Sequence, residues 1–361
     1  MEALRGQKNF YKFKKKYPVL NEEMDKFVRR AYKGGYVLVA EEMKGKDKEN
    51  VSVFDVNSMY PWAMRYCRLP YGLPIKRKRP KEGELYVVEF QAIFELKEGM
   101  LPTVQLKNSI RYVQAEYLTS SHGDLLSLTM TNLDYDLFRE HYNVLFEQGH
   151  QYLCFNSEQS TPEHEGPYDK YIDYWMKEKE EAVTMRDGRK KAKAKRFLNS
   201  LYGKRGENPN RMAKVPHLEN DVVKWDTVET VGNGDYLPHA VFITAWARDK
   251  IIRTAQKFHD TKDFVYCDTD SIHCLHASQH LDWIDVHPSR LGAWKLESTA
   301  EKARYVGPKK YVHVNERDDH GKLTPFEVKC AGMPVHAKQF VTWENFHLGA
   351  IYEGKLTGKT V

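Results

Sequence analysis

Apolar and polar residues alternate along this chain with two periods, one typical of helices and one typical of strands. The helical period runs through "NEEMDKFVRRAYKGG", where Asn21 is placed to cap a helix and Gly34 and Gly35 follow its end. The same period returns in residues 131–144, in residues 167–204 with a break at Asp187-Gly188, and in residues 239–258. The pattern therefore predicts helices in all four regions.

The strand period predicts several hairpins. Residues 36–56 contain two apolar runs around a polar turn and predict a hairpin that ends at Asp55. Residues 84–106 alternate in the same way, and residues 263–275 predict another hairpin. Two short β-like runs in residues 210–236 predict a hairpin that protrudes. Because helices and strands interleave irregularly, the pattern favours an α+β fold over a doubly wound parallel sheet.

Composition identifies a globular protein without export or membrane segments. The 361 residues are 41% hydrophobic and 12% aromatic, which is enough for two or three compact units. The N-terminus lacks the apolar core of a secretory signal, and no stretch approaches the roughly 20 apolar residues of a membrane span. The five cysteines are scattered at spacings that fit no zinc motif. We therefore expect reduced thiols, a cytoplasmic location and no membrane partner.

The charge is unevenly distributed. The net charge is only +6, yet basic residues cluster in residues 5–16, in residues 76–79 and in residues 186–205. Local basic stripes on a nearly balanced protein are typical of a polyanionic partner. Solvated helix faces explain any single run equally well.

Paired carboxylates are the main candidate chemistry. In "VYCDTDSIHCL", Asp268 and Asp270 point to the same face of a predicted strand, where two like charges repel unless a cation lies between them. Asp55 ends another apolar run in "SVFDVNSMYP", although taken alone it is equally an ordinary turn residue. Three carboxylates at strand ends suit two divalent cations that clamp a phosphoryl transfer. Hard oxygen ligands favour Mg²⁺ or Mn²⁺.

A lysine-rich helix supplies a second candidate. In "RKKAKAKRFLNSLYGK", helical spacing places Lys191, Lys195, Asn199 and Tyr202 on one face, beside an apolar stripe at residues 194, 197, 198 and 201. Lysines one turn apart repel each other unless an anion lies between them. A triphosphate would satisfy both lysines, and Tyr202 would stack on a base.

Four motifs make the chain resemble a known family. "DVNSMYP", "KRFLNSLYG", "YCDTDS" and "KKY" follow the order of motifs A, B, C and KxY of family B DNA polymerases. "AYKGGY", "FITAWAR" and "VKCAGM" extend the resemblance over nearly the whole chain and towards the protein-primed subgroup, the phi-twenty-nine-type bacteriophage replicases. Met59 replaces the usual leucine of motif A, a substitution that conserves volume.

The resemblance implies a role for each matching residue. Asp55 and Asp270 would be the main metal ligands, supported by Asp268, with the Val56 backbone near the metal and the triphosphate. Nucleotide contacts are implied for Tyr60, Lys179, Lys191, Lys195, Asn199 and Tyr202, with Tyr60 excluding a ribose 2′-OH. DNA contacts are implied for Tyr32, Gly34, Gly35, Thr244, Arg248, Lys309 and Tyr311. For the first five of these, helix packing and helix termination are an alternative.

The resemblance also implies a right-hand polymerase fold with an antiparallel palm sheet and two insertions. The implied units are an N-terminal segment with the YxGG motif (1–50), palm (51–66 and 233–325), first terminal-protein insertion (67–165), fingers (166–205), second insertion with its hairpin (206–232) and thumb (326–361). The family's N-terminal exonuclease domain opens with Asp-x-Glu on an apolar strand. The only such pattern here, residues 47–49, falls in a predicted polar turn, so we expect no proofreading.

The expected function is template-directed DNA synthesis with two metal ions, with a protein hydroxyl as a second kind of primer and with strand displacement. Expected partners are primer-template DNA, dNTPs and a terminal protein, bound by a monomer in the host bacterial cell. Two alternatives stay open at this point. A non-catalytic DNA-binding module would fail to extend a primer, and a metal-dependent nuclease would degrade a 3′-labelled primer without nucleotides.

Overall fold

The computed structural model describes residues 7–105, 116–232 and 234–352. Its helices are α1 (Gln7–Lys16), α2 (Glu22–Arg30), α3 (Met59–Tyr66), α4 (Asn132–His141), α5 (Asp169–Thr184), α6 (Gly188–Gly206) and α7 (Leu237–Asp260). Its strands are β1 (Val37–Val39), β2 (Asp47–Val56), β3 (Leu69–Arg77), β4 (Leu85–Leu96), β5 (Leu126–Thr131), β6 (Tyr142–Glu158), β7 (Asn210–Glu219), β8 (Val222–Val231), β9 (Phe264–Asp268), β10 (Ser271–Cys274), β11 (Trp294–Gly307), β12 (Lys310–Asp318) and β13 (Leu323–Cys330).

A seven-stranded antiparallel sheet forms the centre of the fold. Its order is β1-β9-β10-β2-β11-β12-β13. Helix α7 packs against it, and its Ile251, Ile252, Ala255 and Phe258 join the buried core beneath β9 and β2. Residues 237–245 of this helix are all buried, because other elements cover its remaining faces. The sheet therefore provides a rigid platform whose strand ends carry motifs A and C.

The predicted hairpin in residues 36–56 is wrong. Both strands form, but β1 pairs with β9, while β2 lies between β10 and β11. Alternation identifies a strand and its faces, whereas the partner strand is chosen by packing between distant segments. Residues 47–49 also belong to β2 and not to a polar turn, and the Asp47 carboxylate accepts a hydrogen bond from Arg304 at 2.6 Å.

A second antiparallel sheet, of order β3-β6-β4-β5, occupies the first predicted insertion. Helix α4 covers it and is capped by Thr131, whose hydroxyl accepts a hydrogen bond from the Asp134 backbone. Phe90, Phe94 and Phe138 pack together in its core at ring distances of 5.3–5.7 Å. This unit thus has a hydrophobic core of its own.

Helices α5 and α6 form an antiparallel pair. The break between them spans residues 185–187 and overlaps the predicted break at Asp187-Gly188. The Asp187 carboxylate caps α6 by accepting hydrogen bonds from two backbone N–H groups of its first turn. Ala194 and Leu198 are buried as the apolar stripe predicts. Phe197 is partly exposed and stacks on Trp175 at 4.3 Å, so it joins the two helices instead of the palm.

The hairpin predicted in residues 210–236 forms from β7 and β8, which pair only with each other. The described side chains of β8 are exposed throughout, so the hairpin projects from the body of the protein.

The seven-stranded sheet does not follow the implied unit limits. It includes β1 from the 1–50 segment, and β13 crosses the limit between residues 325 and 326. The assignment of palm, fingers and thumb to particular ranges stays a prediction. All five cysteines are free thiols. In the parts of the chain that the structure describes, no helix combines the length and apolarity needed to cross a membrane.

Candidate active site

Strand pairing brings the acids of motifs A and C together. Asp55 near the end of β2 lies opposite Ser271 at the start of β10. The Val56 N–H donates a hydrogen bond of 2.8 Å to the Asp270 carbonyl, so the two motifs are in direct backbone contact. Asp268 and Asp270 flank a tight turn at Thr269, whose φ is +61°. Carboxylates from two distant segments are therefore neighbours at the ends of adjacent central strands.

The electrostatics of this pair favour a bound cation. Burial, followed by the charges of Asp270 and Glu297, raises the pKa of Asp55 to about 8. Burial and the charge of Asp268 raise the pKa of Asp270 to about 6. Both shifts show that a second negative charge is unfavourable here without compensation. Because the donors are carboxylate and backbone oxygens, the site suits Mg²⁺ or Mn²⁺.

Asp268 has a different environment from the other two acids. Lys309 Nζ donates to both of its carboxylate oxygens, at 2.5 and 2.7 Å, and the Tyr266 hydroxyl donates to one of them at 3.1 Å. No cluster of three or more Cys, His, Asp or Glu residues with metal-binding geometry occurs in the described residues. Magnesium sites that also bind phosphates often use only one or two carboxylates. Asp55 and Asp270 supply that number, and the Val56 backbone lies directly beside them through its hydrogen bond to Asp270, so its role as a further ligand stays a prediction.

The predicted lysine face is directed towards these acids. The positive charges of Lys195 and Lys179 partly offset the raised pKa of Asp55, and Lys195 acts in the same way on Asp270. Burial and the charges of Lys195 and Lys191 lower the pKa of Lys179. Its Nζ donates a hydrogen bond of 3.2 Å to the Ser58 hydroxyl of motif A. The helical pair therefore supplies a cationic wall opposite the carboxylates, with Lys191 and Lys195 exposed.

Two aromatic side chains meet between the helical pair and the sheet. Tyr60 on α3 stacks on Tyr202 on α6, with ring centroids 3.9 Å apart and planes inclined by 28°. Burial, and then the neighbouring Tyr202, raises the pKa of the Tyr60 hydroxyl, which stays protonated at neutral pH. Asn199, one turn before Tyr202 on α6, is exposed. The stack therefore joins motif A to α6, the helix that also carries Asn199.

The YxGG segment packs on the motif C turn. A Cβ atom at Gly35 would lie 2.5 Å from Thr269 Oγ1, and the Thr269 N–H donates to the Tyr36 carbonyl at 2.8 Å. Only glycine permits this close approach. The Gly34 carbonyl accepts a hydrogen bond from Arg248, and Tyr32 is partly buried close to Gly206. This segment therefore helps to position the catalytic turn, whatever contact it makes with DNA.

The structure does not place Thr244 and Arg248 at a DNA surface. Thr244 is buried, and its hydroxyl donates to backbone carbonyls of its own helix. Arg248 is also buried and forms two hydrogen bonds with the Asp134 carboxylate, at 2.7 and 2.9 Å. Although burial by itself raises the pKa of Asp134, Arg248 and Lys33 hold it below its ordinary value. Packing, which was the stated alternative, accounts for the contacts of both residues in this structure, and direct DNA contact stays a prediction.

The comparisons with known proteins now identify the family. A sequence model of the family "DNA polymerase type B, organellar and viral" matches residues 2–287. The chain belongs to this family.

Curated relatives support the same conclusion. The DNA polymerase of Bacillus phage Nf is 38% identical over 379 residues, covering 98% of this chain and 64% of that protein. The DNA polymerase of Bacillus phage phi29 is 39% identical, covering 96% of this chain and 62% of that protein. The polymerase of Streptococcus phage Cp-1 is 34% identical over 98% of this chain. The predicted resemblance is confirmed, and the chain spans slightly less than two thirds of the length of these relatives.

Solved structures confirm the predicted α+β polymerase fold. Phi29 DNA polymerase complexed with primer-template DNA and incoming nucleotide substrates matches with a TM-score of 0.85 and 37% identity. The match covers 96% of this chain and 61% of that chain. The post-translocation binary complex of the same polymerase with primer-template DNA matches with a TM-score of 0.81 and 36% identity.

Sequence reasoning missed two residues of this family B site. Glu297 sits at an irregularity in β11, where the register against β2 shifts, and its charge raises the pKa of both Asp55 and Asp270. Ser58 adopts a left-handed conformation with φ of +53° and accepts the hydrogen bond from Lys179. No periodic pattern reveals a bulge, so Glu297 had no sequence signal. Ser58 was visible as part of motif A.

Proposed function

We propose that this chain carries the polymerising centre of a template-directed DNA polymerase, which adds dNTPs to a primer 3′-OH by two-metal phosphoryl transfer. The observation that carries the proposal is the meeting of Asp55 and Asp270 opposite Lys195, whose positive charge acts on both acids. A non-catalytic DNA-binding module would have no need to keep two repelling carboxylates at one partly buried point.

The acids hold the cations. Asp55, Asp270 and the backbone carbonyl of the adjacent Val56 would be their ligands. Divalent ions bound there would supply a lower pKa for the primer hydroxyl and positive charge for the triphosphate oxygens. Glu297 adds negative charge beside the same point and strengthens the attraction for cations.

The helical pair binds the triphosphate. Lys191 and Lys195 are exposed on α6 and are free of the repulsion between them once phosphate oxygens lie between their ammonium groups. Lys179 reaches motif A through Ser58 and supplies a third positive charge. These lysines stabilise the charge that develops on the leaving pyrophosphate.

The aromatic pair borders the nascent base pair. The Tyr60–Tyr202 stack occupies the space between sheet and helices, so nucleotide entry requires the two rings to separate. Tyr60 then lies under the incoming sugar and excludes a 2′-OH by its bulk, while Tyr202 and Asn199 contact the base. We expect Tyr60→Val to lower the preference for dNTPs over rNTPs about tenfold or more, because a cavity admits the extra hydroxyl. Unchanged discrimination in competition assays would remove Tyr60 from this role.

The primer is held on the other side of the acids. Lys309, which is paired with Asp268 of motif C, and Tyr311 on the same strand, β12, hold the primer near its 3′ end, and the ion pair between Lys309 and Asp268 supports this role. Tyr32, Gly34 and Gly35 contact the template beside the motif C turn. Both solved phi29 polymerase complexes contain primer-template DNA, and the ternary complex also contains incoming nucleotides, which supports these kinds of partner.

The two insertions extend the function. The four-stranded sheet of residues 67–165 offers a docking surface for a terminal protein, whose hydroxyl is the first primer. The β7–β8 hairpin helps to separate the two DNA strands. We propose that the protein acts as a monomer on these partners.

Primer extension with Mg²⁺ tests the proposal. The wild-type chain should extend a labelled primer on a template, whereas Asp55→Ala and Asp270→Ala should abolish extension and keep most of the DNA binding. Lys193→Ala, an exposed lysine on α6 outside the predicted nucleotide face, is the matched control and should retain activity. Normal extension by either aspartate variant would refute the metal assignment. Degradation of a 3′-labelled primer without nucleotides would favour the nuclease alternative.

A further inference from the structure

A buried hydrogen-bond chain crosses the central sheet on the same side as Asp268. The Tyr305 hydroxyl on β11 lies 2.8 Å from His273 Nδ1 on β10 and 2.9 Å from His313 Nε2 on β12. All three side chains are buried. A single hydroxyl group therefore links two strands that are not neighbours in the sheet.

The far end of this hydrogen-bond chain meets the carboxylate of Glu316. His313 Nδ1 lies 3.3 Å from Glu316 Oε1, and the Ser298 hydroxyl donates to the same carboxylate at 2.5 Å. Although burial by itself raises the pKa of Glu316, His313 and Ser298 hold it below its ordinary value, so the carboxylate is charged. Burial keeps the pKa of His273 well below its ordinary value, so this ring is neutral. A hydroxyl both donates and accepts, so the Tyr305 hydroxyl can serve one imidazole as donor and the other as acceptor and so provide a partner for a ring nitrogen of each.

The rings of the hydrogen-bond chain, those of His273, Tyr305 and His313, pack together beneath Tyr311 and form the floor on which its ring lies. The Tyr311 ring centroid lies 4.8 Å from that of His313, 5.1 Å from Tyr305 and 5.2 Å from His273. Rings at these distances and tilts restrict one another's position. The side chain proposed to hold the primer therefore rests on the hydrogen-bonded rings.

A second connection runs from the same floor to Lys309 and Asp268. The Tyr266 ring lies 5.4 Å from Tyr305 and 5.4 Å from Tyr311. Its hydroxyl accepts a hydrogen bond from the Lys309 N–H and donates one to the Asp268 carboxylate, each at 3.1 Å. A shift of the floor is thus transmitted to the Lys309–Asp268 ion pair.

We propose that the His273–Tyr305–His313 chain positions the primer-binding side chains Lys309 and Tyr311 relative to the catalytic acids. This inference rests on the proposed function. His273, Tyr305 and His313 are positioning residues. They are buried beneath Tyr311, so they act on the primer only through Tyr311 and Tyr266. Loss of the Tyr305 hydroxyl leaves two buried imidazole nitrogens without partners, and the rings must move to relieve this.

Tyr305→Phe tests the proposal, because it removes the hydroxyl and keeps the ring. Primer-template binding is measured by fluorescence anisotropy without nucleotide, and steady-state extension is measured with primer-template or dNTP as the varied substrate. We expect the Kd and KM for primer-template to rise about tenfold, which is the effect of one or two buried hydrogen bonds. The KM for dNTP should stay within about twofold, because the lysine wall is untouched.

Two further variants make the test specific. His313→Gln keeps a side-chain acceptor within reach of Tyr305 and should restore most of the affinity that His313→Leu loses. Tyr142→Phe is the matched control. Tyr142 is buried in the second sheet, and its hydroxyl accepts from the Thr103 N–H at 2.8 Å and donates to the Leu118 carbonyl at 2.7 Å. It should lower the melting temperature and leave primer affinity unchanged.

The outcomes separate this inference from the proposed function. Primer affinity that is unchanged in Tyr305→Phe despite a lower melting temperature, or that falls equally in Tyr142→Phe, would overturn the inference. So would an equal rise in the KM for dNTP. Failure of the wild type to extend any primer with Mg²⁺ refutes the proposed function instead, and the anisotropy measurement then still decides the inference, since it needs no catalysis.

Discussion

Removal of the charge at Asp55 should stabilise the metal-free protein while it abolishes DNA synthesis. Burial and the neighbouring acids raise the pKa of Asp55 to about 8, compared with an ordinary value of 3.8. Between these two values the unfolded chain releases a proton that the folded protein keeps. The folded state therefore loses stability as the pH rises through this window, which is the reverse of the behaviour of a salt-bridged carboxylate.

The magnitude follows from the same pKa values. At pH 7 the unfolded carboxyl is about three pH units above its own pKa, which corresponds to an unfavourable contribution of about 4 kcal/mol. Asn has the same shape as Asp and no charge. Because Asp55 is only partly buried, we expect Asp55→Asn to recover about 2–4 kcal/mol in EDTA. For 361 residues this corresponds to a rise of about 3–5 °C in melting temperature.

Thermal melts between pH 6 and pH 8 in EDTA provide the assay, with primer extension measured in parallel. The wild type should lose stability across this range more steeply than Asp55→Asn. Addition of Mg²⁺ should raise the melting temperature of the wild type and should have little effect on the variant, because a ligand that binds only the folded site stabilises it. Asp282→Asn removes an exposed carboxylate elsewhere and should change neither property. A variant that melts at or below the wild type in EDTA would refute the account of the carboxylate pair.

Three other substitutions test separate parts of the site. Asp268→Asn breaks the ion pair with Lys309. It should raise the Kd for primer-template about two- to fivefold and leave kcat nearly normal. A loss of activity as complete as that of the Asp55 variant would instead identify Asp268 as a metal ligand. Lys195→Ala should raise the KM for dNTP about 10- to 100-fold, whereas the control Lys193→Ala should leave it unchanged. Equal effects of the two substitutions would show that the lysine face is wrongly assigned. Arg248→Ala leaves the buried Asp134 carboxylate without a positive partner. The free energy of unfolding should fall by about 3–5 kcal/mol. Weaker DNA binding at unchanged stability would instead support direct DNA contact by Arg248.

Local patterns predicted most elements of this fold. Asn21 caps α2, Asp187 caps α6 after the predicted break, and both the β9–β10 and the β7–β8 hairpins form. These succeed because capping and tight turns depend on neighbouring residues. The prediction of a hairpin between β1 and β2 failed because these strands pair instead with β9 and β10, which lie far away in sequence.

The candidate site divides in the same way. The family resemblance implied that Asp55, Asp270 and Lys195 belong to one site, and in the structure the charge of Lys195 acts on both acids. Spacing did not reveal that Arg248 is buried against a carboxylate or that Glu297 lies beside the acids. Both facts depend on which elements pack on α7 and on a register shift in β11.

The sequence by itself determined the chemical groups and their local geometry: two acids around one turn, lysines one helical turn apart, and glycines where a side chain would collide. Only the tertiary structure decided which of these groups share a charge environment. It placed Asp268 with Lys309, left Asp55 and Asp270 to repel each other, and seated Tyr311 on the His273–Tyr305–His313 chain. The physical reason is that a pKa or a ring position depends on burial and on neighbours within a few ångströms, and those neighbours come from strands paired across most of the chain's length.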